Sequence, residues 1–143
     1  MMELLCKDLT DRIIGVFYKV YNEMGFGFLE KVYENSMMIE LQKQGFSCQR
    51  QQRIEVFYDG KHVGEYFADI IVDNSVILEL KAAEFLVSEH EAQLINYLKG
   101  TRIEVGLLLN FGKKPEFKRK VFANERKENQ RKSAFNPLDP RAI

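Results

Sequence analysis

The first third of the chain carries hydrophobic residues at helical spacing. Between Leu9 and Met24 they recur every three or four positions, and Gly25-Phe-Gly27 interrupts the pattern. A second helix is predicted from Leu29 to Lys43, followed by Gly45 at the position where a helix commonly ends. The sequence therefore predicts two helices before the first strand.

The middle of the chain shows the partial alternation that is typical of strands. The segments from Cys48 to Tyr58 and from His62 to Val72 are predicted strands, and Asp59-Gly60 between them is a strong hairpin signal. Asp73-Asn74 indicates a second tight turn, after which Ser75 to Lys81 forms a short apolar strand. These three segments predict a β-meander.

The last third returns to a helix and then to strands. Glu89 to Leu98 predicts a third helix, and Val105 to Asn110 is an apolar run that suits a buried strand. Phe117 to Phe122 is expected to form a short edge strand or ribbon. This order predicts a mixed α/β (α+β) fold, in which a central mixed sheet, the meander plus a further strand, is flanked by helices.

The length of 143 residues and the content of 45% hydrophobic and 29% charged residues indicate one ordinary globular domain. We expect this domain to cover residues 1–122. From residue 123 to residue 143, charges, Asn and Pro dominate without periodicity, which predicts a basic, flexible C-terminal tail.

The net charge of zero conceals an uneven distribution. From Lys113 to the end there are ten Lys and Arg against four Asp and Glu, so the preceding part is acidic. A basic segment on an acidic body can steer a polyanion, but it is equally typical of a solvated tail.

Several classes of protein are excluded by what the sequence does not contain. No apolar run approaches the roughly 20 residues of a membrane span, and the N-terminus lacks a signal-peptide pattern, so a cytoplasmic protein without membrane contact is expected. Cys6 and Cys48 are too far apart for a zinc ribbon, and two histidines without HxxxH spacing argue against a zinc hydrolase.

Charged residues enter the apolar meander at one place. Glu79 and Lys81 are two residues apart on the third strand and leave the same face, while the hairpin brings Asp69 onto the neighbouring strand. Adjacent carboxylates repel one another unless a proton or cation lies between them. Mg²⁺ or Mn²⁺, which prefer oxygen ligands, would suit this pair, with the backbone carbonyl of Leu80 as a further ligand.

In such a site Lys81 would orient a water molecule or stabilise developing negative charge. Taken alone, however, the pattern is more readily explained by a surface Glu–Lys pair where a strand enters solvent. The neighbouring motifs make a metal site the better interpretation than a surface pair.

The segment Gly27-Phe-Leu-Glu30-Lys-Val-Tyr33 matches the motif of the GxxExxY protein family, which belongs to the PD-(D/E)XK nuclease-like superfamily. Phe67-Ala-Asp69 and Glu79-Leu-Lys81 stand where that superfamily carries its metal site, although Ala68 replaces the usual proline. Gln93-Leu-Ile-Asn-Tyr97 resembles the QxxxY motif of the following helix. The resemblance covers roughly residues 9–122 and implies a restriction-endonuclease-like core.

The resemblance also implies roles for individual residues. Asp69 and Glu79 correspond to the metal-binding carboxylates, and Lys81 corresponds to the catalytic lysine. Glu30 corresponds to an acidic residue on an early helix that adds a metal ligand or holds a water at the metal. A solvated glutamate on the helix surface is the alternative for Glu30.

On the third helix, the resemblance gives Gln93 a positioning role, through contact with the lysine, a water or a backbone phosphate. Tyr97 lies four residues later on the same helix face. It would either reach a phosphate or pack in the core, and the sequence leaves both uses open.

These observations predict a Mg²⁺- or Mn²⁺-dependent nuclease that hydrolyses phosphodiester bonds of DNA or RNA. Cations near the C-terminus, Lys118, Arg119 and Lys120, would contact the nucleic acid backbone. The alternative, favoured by the acidic body, is a catalytically weak or inactive nuclease-fold module that acts through a homodimer or a protein partner. A hydrolase of a small phosphorylated molecule is a third, more distant option.

Overall fold

The computed structural model describes residues 6–127. Its main helices and strands, in chain order, are α1 (Lys7–Met24), α2 (Glu30–Lys43), β1 (Cys48–Tyr58), β2 (Lys61–Val72), β3 (Val76–Lys81), α3 (Ser88–Lys99), β4 (Val105–Phe111) and β5 (Pro115–Val121). Each element that the sequence predicts is present, with boundaries close to the predicted ones.

The strands form one mixed sheet in the order β1-β2-β3-β4-β5. The pairs β1–β2, β2–β3 and β4–β5 are antiparallel, whereas β3 and β4 are parallel. Parallel neighbours need a long crossover, and α3 supplies it. The predicted α/β fold with a meander, a further buried strand and flanking helices is confirmed.

Helices cover both faces of this sheet. The core on one face joins α1 and α2 to alternate residues of the central strands; its members include Phe17, Tyr33, Leu41, Leu78 and Leu107. The core on the other face lies under α3; its members include Ile77, Leu94, Leu98 and Leu108. Because both faces of β3 and β4 are buried, these strands are apolar at nearly every position. Within residues 6–127, no helix is long and apolar enough to cross a membrane.

β1 and β2 extend beyond the rest of the sheet as a two-stranded arm. They pair from Cys48 to Tyr58, but β2 pairs with β3 only from Ile70 to Val72. Before Ile70, β2 therefore diverges from β3. This divergence opens a gap between the two strands beside Asp69 and Glu79.

The residues that follow β5 remain attached to the domain. The amide of Asn124 donates to the carboxylate of Glu104 at 2.8 Å. The ammonium of Lys127 donates to the carbonyls of Thr101 and Ile103 at 2.8 and 2.9 Å. Folded structure thus continues past residue 122, where the domain was predicted to end. The rest of the predicted tail, residues 128–143, lies outside the described residues.

Candidate active site where β2 and β3 diverge

Asp69 and Glu79 face each other at the point where β2 and β3 separate. The last regular pair is Ile70 with Leu78, so the same register places Asp69 opposite Glu79. Side chains replace the backbone ladder here: the amide of Asp69 donates to Glu79 Oε1 at 3.2 Å, and the amide of Leu80 donates to Asp69 Oδ2 at 2.8 Å. These reciprocal bonds fix the two carboxylates relative to each other.

Both carboxylates are partly withdrawn from water. Glu79 is only 5% exposed. Burial raises the pKa of Glu79 to about 9, and the neighbouring charge of Asp69 adds to this rise. Burial also raises the pKa of Asp69, while the hydrogen bond from the Leu80 amide opposes the rise. Without a cation, the pair therefore retains a proton at neutral pH.

Lys81 lies at the end of β3, two residues after Glu79 and on the same face. Its positive charge lowers the pKa of both Asp69 and Glu79, which shows that the three groups interact electrostatically. Lys81 is partly exposed. Within the described part of the chain, it forms no ion pair or hydrogen bond, so its ammonium is available to a ligand.

Glu34, which the sequence analysis did not select, is the buried acid that α2 brings to this region. It is 4% exposed. Its carboxylate is bonded by Lys31 at 2.9 Å and Gln51 at 2.8 Å, with Arg50 at 3.8 Å. The charge of Glu34 contributes to the raised pKa of Asp69. Gln51 has a positive φ of 51°, which marks a local irregularity of β1 next to this cluster.

Glu30, the predicted acid, is exposed in the first turn of α2. Among residues 6–127, no hydrogen bond or ion pair connects it to Asp69, Glu79 or Lys81. Glu34 lies four residues later on the same helix face, where the packing of α2 buries it. Lys31 forms an ion pair with Glu34, three residues later on the helix.

α3 covers the site with Tyr97, which is 4% exposed. Its ring stacks on Tyr66 with centroids 4.0 Å apart, and Gln93 lies one turn earlier on the same helix. Burial raises the pKa of the Tyr97 hydroxyl, and the charge of Glu79 raises it further. Of the two uses left open for Tyr97, the structure shows core packing beside Glu79. Gln93 is exposed on this helix.

The three cations predicted to contact nucleic acid are divided between the two faces of β5. Lys118 pairs in register with Leu108, which faces α3, whereas Arg119 pairs with Leu107, which faces α1 and α2. Lys120 lies on the α3 face and forms an ion pair with Glu91 at 2.5 Å. The guanidinium of Arg119 donates to Thr10 Oγ1 at 3.4 Å. The structure therefore does not bring the three together as one row.

Asn110 is a second residue that the sequence analysis did not select. It is fully buried and lies opposite Lys81 across the β3–β4 ladder. Its amide group bonds both backbone groups of Ala83: it accepts from the nitrogen at 2.9 Å and donates to the oxygen at 3.0 Å. Asn110 thereby fixes the segment directly after Lys81. In the sequence, the only sign of this role is that Asn110 is a polar residue at the end of the apolar run from Val105.

Replacing Asn110 by alanine should destabilise the fold by about 1–3 kcal/mol, because the half-buried backbone groups of Ala83 lose their partners. Urea denaturation followed by circular dichroism measures this. Asn35→Ala on the exposed surface of α2 is the matched control and should change stability far less. Equal stability of wild type and Asn110→Ala would contradict the assigned role.

The chain resembles known proteins in both sequence and structure. The sequence model of a family described as the PD-(D/E)XK nuclease superfamily matches residues 7–120. Among solved structures, a chain titled "Crystal structure of SSO0001" is similar, with a TM-score of 0.55 and 16% identity over 79% of this chain and 69% of that chain. At this identity the likeness supports the fold alone. No curated protein matches the sequence.

The family match spans most of the chain and includes both strands that carry Asp69, Glu79 and Lys81. It agrees with the restriction-endonuclease-like arrangement of a mixed sheet between helices. The narrower assignment to the GxxExxY family stays a prediction from the motif. The chain belongs to the PD-(D/E)XK nuclease superfamily.

Proposed function

We propose that the protein hydrolyses phosphodiester bonds of DNA or RNA in a reaction that depends on Mg²⁺ or Mn²⁺. The observation that carries the proposal is the pair of carboxylates on neighbouring strands, Glu79 buried and Asp69 half-buried. They are bonded across the gap between β2 and β3, with Lys81 on the same face as Glu79. Two adjacent acids, both partly withdrawn from water and both with raised pKa values, are a costly arrangement for stability alone, and such groups concentrate at functional sites.

The donor set fits a small divalent cation that keeps part of its water shell. Residues 6–127 contain no group of three or more His, Cys, Asp or Glu side chains that could hold a metal. Mg²⁺ is nevertheless commonly bound through one or two carboxylates, waters and substrate phosphates. Asp69 and Glu79 would supply the carboxylates in this proposal.

The carbonyl of Leu80 is the proposed third protein ligand. The amide and carbonyl of one strand residue lie on the same side, and the amide of Leu80 points to Asp69 in the gap. The regular β2–β3 pairing ends at Ile70 with Leu78, so the ladder does not occupy this carbonyl. The resulting all-oxygen set favours Mg²⁺ or Mn²⁺ over softer metals.

A bound ion would neutralise charge on a phosphate and acidify water in the site. The residues of the chain would do the rest: Lys81 would orient the attacking water and stabilise the negative charge that develops on the phosphate. Tyr97 would fix the position of Glu79 by packing beside it, and Gln93 would contact the lysine, a water or a backbone phosphate. Glu34 would act on Asp69 through its charge, which raises the pKa of that carboxyl.

Lys81→Ala should lower the cleavage rate by about 100- to 1,000-fold, since a preorganised group that stabilises developing charge contributes that much. Supercoiled plasmid, single-stranded DNA and RNA, each incubated with Mg²⁺ or Mn²⁺, provide the assay. Lys61→Ala at the exposed tip of the β1–β2 arm is the control and should cleave like wild type. Equal cleavage by wild type and Lys81→Ala would assign the activity to another site or to a contaminant.

The alternative of a binding module makes a different prediction. If no substrate is cleaved and calorimetry detects no binding of Mn²⁺, the enzyme proposal fails and the nuclease-fold module with a protein partner or a second copy takes its place. Retained Mn²⁺ binding with cleavage of only one class of nucleic acid would instead define the substrate.

A further inference from the structure

A small groove lies at the ends of β3 and β4, directly beyond Lys81. It has a volume of about 290 Å³ and begins at Ala82, the residue that follows Lys81. Its walls come from the loop between α1 and α2, the segment after β3 and the end of β4; they include Phe26, Phe28, Ala83, Glu84, Phe111 and Lys113. The wall residues do not include Asp69, Glu79 or Lys81, so the groove is a separate feature next to the candidate active site.

Aromatic rings are displayed in water around this groove. Phe26 is 57% exposed and Phe28 is 45% exposed. Phe85, which follows Glu84 of the groove wall, is 60% exposed. Single exposed hydrophobic residues are ordinary, but rings that cluster at one edge of a fold mark a binding surface.

The wall that carries Phe26 and Phe28 is held by Tyr33. The fully buried Tyr33 hydroxyl donates to the carbonyl of Gly25 at 2.6 Å and accepts from the amide of Phe28 at 3.2 Å. Gly27 has a φ of 109°, a conformation that side chains rarely allow. Gly27 and Tyr33, two positions of the GxxExxY motif, therefore shape the groove.

Tyr21 fixes the opposite wall. Its hydroxyl donates to two carbonyls, which share its proton. The oxygen of Gly112 lies at 2.6 Å and the oxygen of Lys113 at 2.8 Å. Gly112 also approaches the segment after β3 so closely that a Cβ there would lie 2.3 Å from the oxygen of Ala83. Both walls are thus preorganised, which lowers the entropic cost of binding a flat ligand.

We propose that this groove binds an unpaired nucleobase of the strand whose backbone lies at Asp69, Glu79 and Lys81. The inference rests on the proposed nuclease function and narrows its substrate to nucleic acids with a single-stranded stretch. Exposed aromatic rings are stacking platforms for bases of any sequence. A groove of this size suits one planar ring and excludes a duplex.

The charges around the groove agree with this occupant. Lys113 in the wall and the adjacent Lys114 supply positive charge for the flanking phosphates. Glu84 would repel a phosphate inside the groove, but its carboxylate can accept hydrogen bonds from the amino group of a base. The base therefore belongs inside the groove and the backbone at its rim.

Fluorescence anisotropy with labelled oligonucleotides tests this proposal, with Ca²⁺ in place of Mg²⁺ to limit cleavage. Wild type should bind a duplex with a single-stranded overhang more tightly than a blunt duplex. Phe26→Ala should weaken binding of the overhang about tenfold and leave the blunt duplex unchanged. Phe57→Ala, with a ring 58% exposed on the β1–β2 arm, is the matched control and should change neither.

A second readout uses 2-aminopurine placed in the overhang. Wild type and Phe57→Ala should change its fluorescence on binding, whereas Phe26→Ala should not. Loss of affinity for both duplexes alike, or no loss for either, overturns the proposal. A concentration-dependent dimer that Phe26→Ala disrupts, with oligonucleotide binding unchanged, would instead make the groove a surface for self-association.

The two proposals fail separately. Overhang binding that depends on Phe26, without cleavage in Mg²⁺ or Mn²⁺, supports the groove and rejects the nuclease proposal. Cleavage that depends on Lys81, with equal activity of wild type and Phe26→Ala on overhang and blunt substrates, supports the nuclease proposal and rejects the groove.

Discussion

Replacing Asp69 by asparagine should reduce cleavage by about a thousandfold. Asparagine keeps the size of the side chain and can still accept from the Leu80 amide, but it removes the charge that a divalent cation needs. Electrostatic stabilisation by a catalytic metal contributes several kcal/mol, and each ~1.4 kcal/mol is a factor of ten in rate. Initial rates over a range of Mg²⁺ concentrations would measure the loss.

The matched control for Asp69→Asn is Glu65→Gln, which lies on the same strand and pairs with Arg53 in the arm. It should cleave like wild type. Asp69→Asn should fold at least as stably as wild type, because it removes a charge that raises the pKa of Glu79. A fully active Asp69→Asn variant would show that Asp69 does not bind an essential ion.

The second large effect concerns the pH dependence of stability without divalent ions. The pKa of Glu79 is raised to about 9 in the folded protein by burial and then by the charge of Asp69. The folded protein therefore retains a proton that the unfolded chain releases near the ordinary pKa of Glu. The stabilising contribution of Glu79 should be complete below that ordinary value and should be lost as pH rises through the folded-state pKa.

In EDTA, the free energy of unfolding should fall by about 3 kcal/mol between roughly pH 6 and pH 8, given about 1.4 kcal/mol per pH unit. Urea denaturation at each pH measures it. Glu79→Gln cannot lose a proton and should remove most of this slope, whereas Glu65→Gln should keep it. The same slope in wild type and Glu79→Gln would contradict the raised pKa of Glu79.

Much of the fold follows from local patterns in the sequence. Helical spacing predicts the helices, and Asp59-Gly60 and Asp73-Asn74 place the turns of the meander. All four of these turn residues have positive φ in the structure. The apolar runs of β3 and β4 predict strands buried on both faces, as found. These signals suffice because each depends on neighbours within a few residues.

The central part of the site was also predictable, since strand alternation and one hairpin bring Asp69, Glu79 and Lys81 together. Glu34 was not, because two acids one turn apart on α2 are distinguished only by how that helix packs and by Gln51 of β1, which bonds Glu34. The motif emphasised Glu30, whose neighbours Gly27 and Tyr33 hold a loop.

The prediction that Lys118, Arg119 and Lys120 together contact nucleic acid did not take into account that side chains alternate along a strand. Consecutive residues of β5 leave opposite faces, so charge that is continuous in sequence is split in space. The role of Asn110 could not be predicted from local patterns, because its two hydrogen bonds to Ala83 join segments 27 residues apart.

The most direct test of the account is calorimetric titration of Mn²⁺ into the protein near neutral pH, in buffers of different ionisation enthalpy. Because Glu79 with a pKa of about 9 holds a proton there, binding of one ion should release about one proton. Asp69→Asn should bind far more weakly, and Glu79→Gln should bind weakly without this release. Absence of binding by wild type, or equal affinity and proton release in both variants, would contradict a metal site at Asp69 and Glu79.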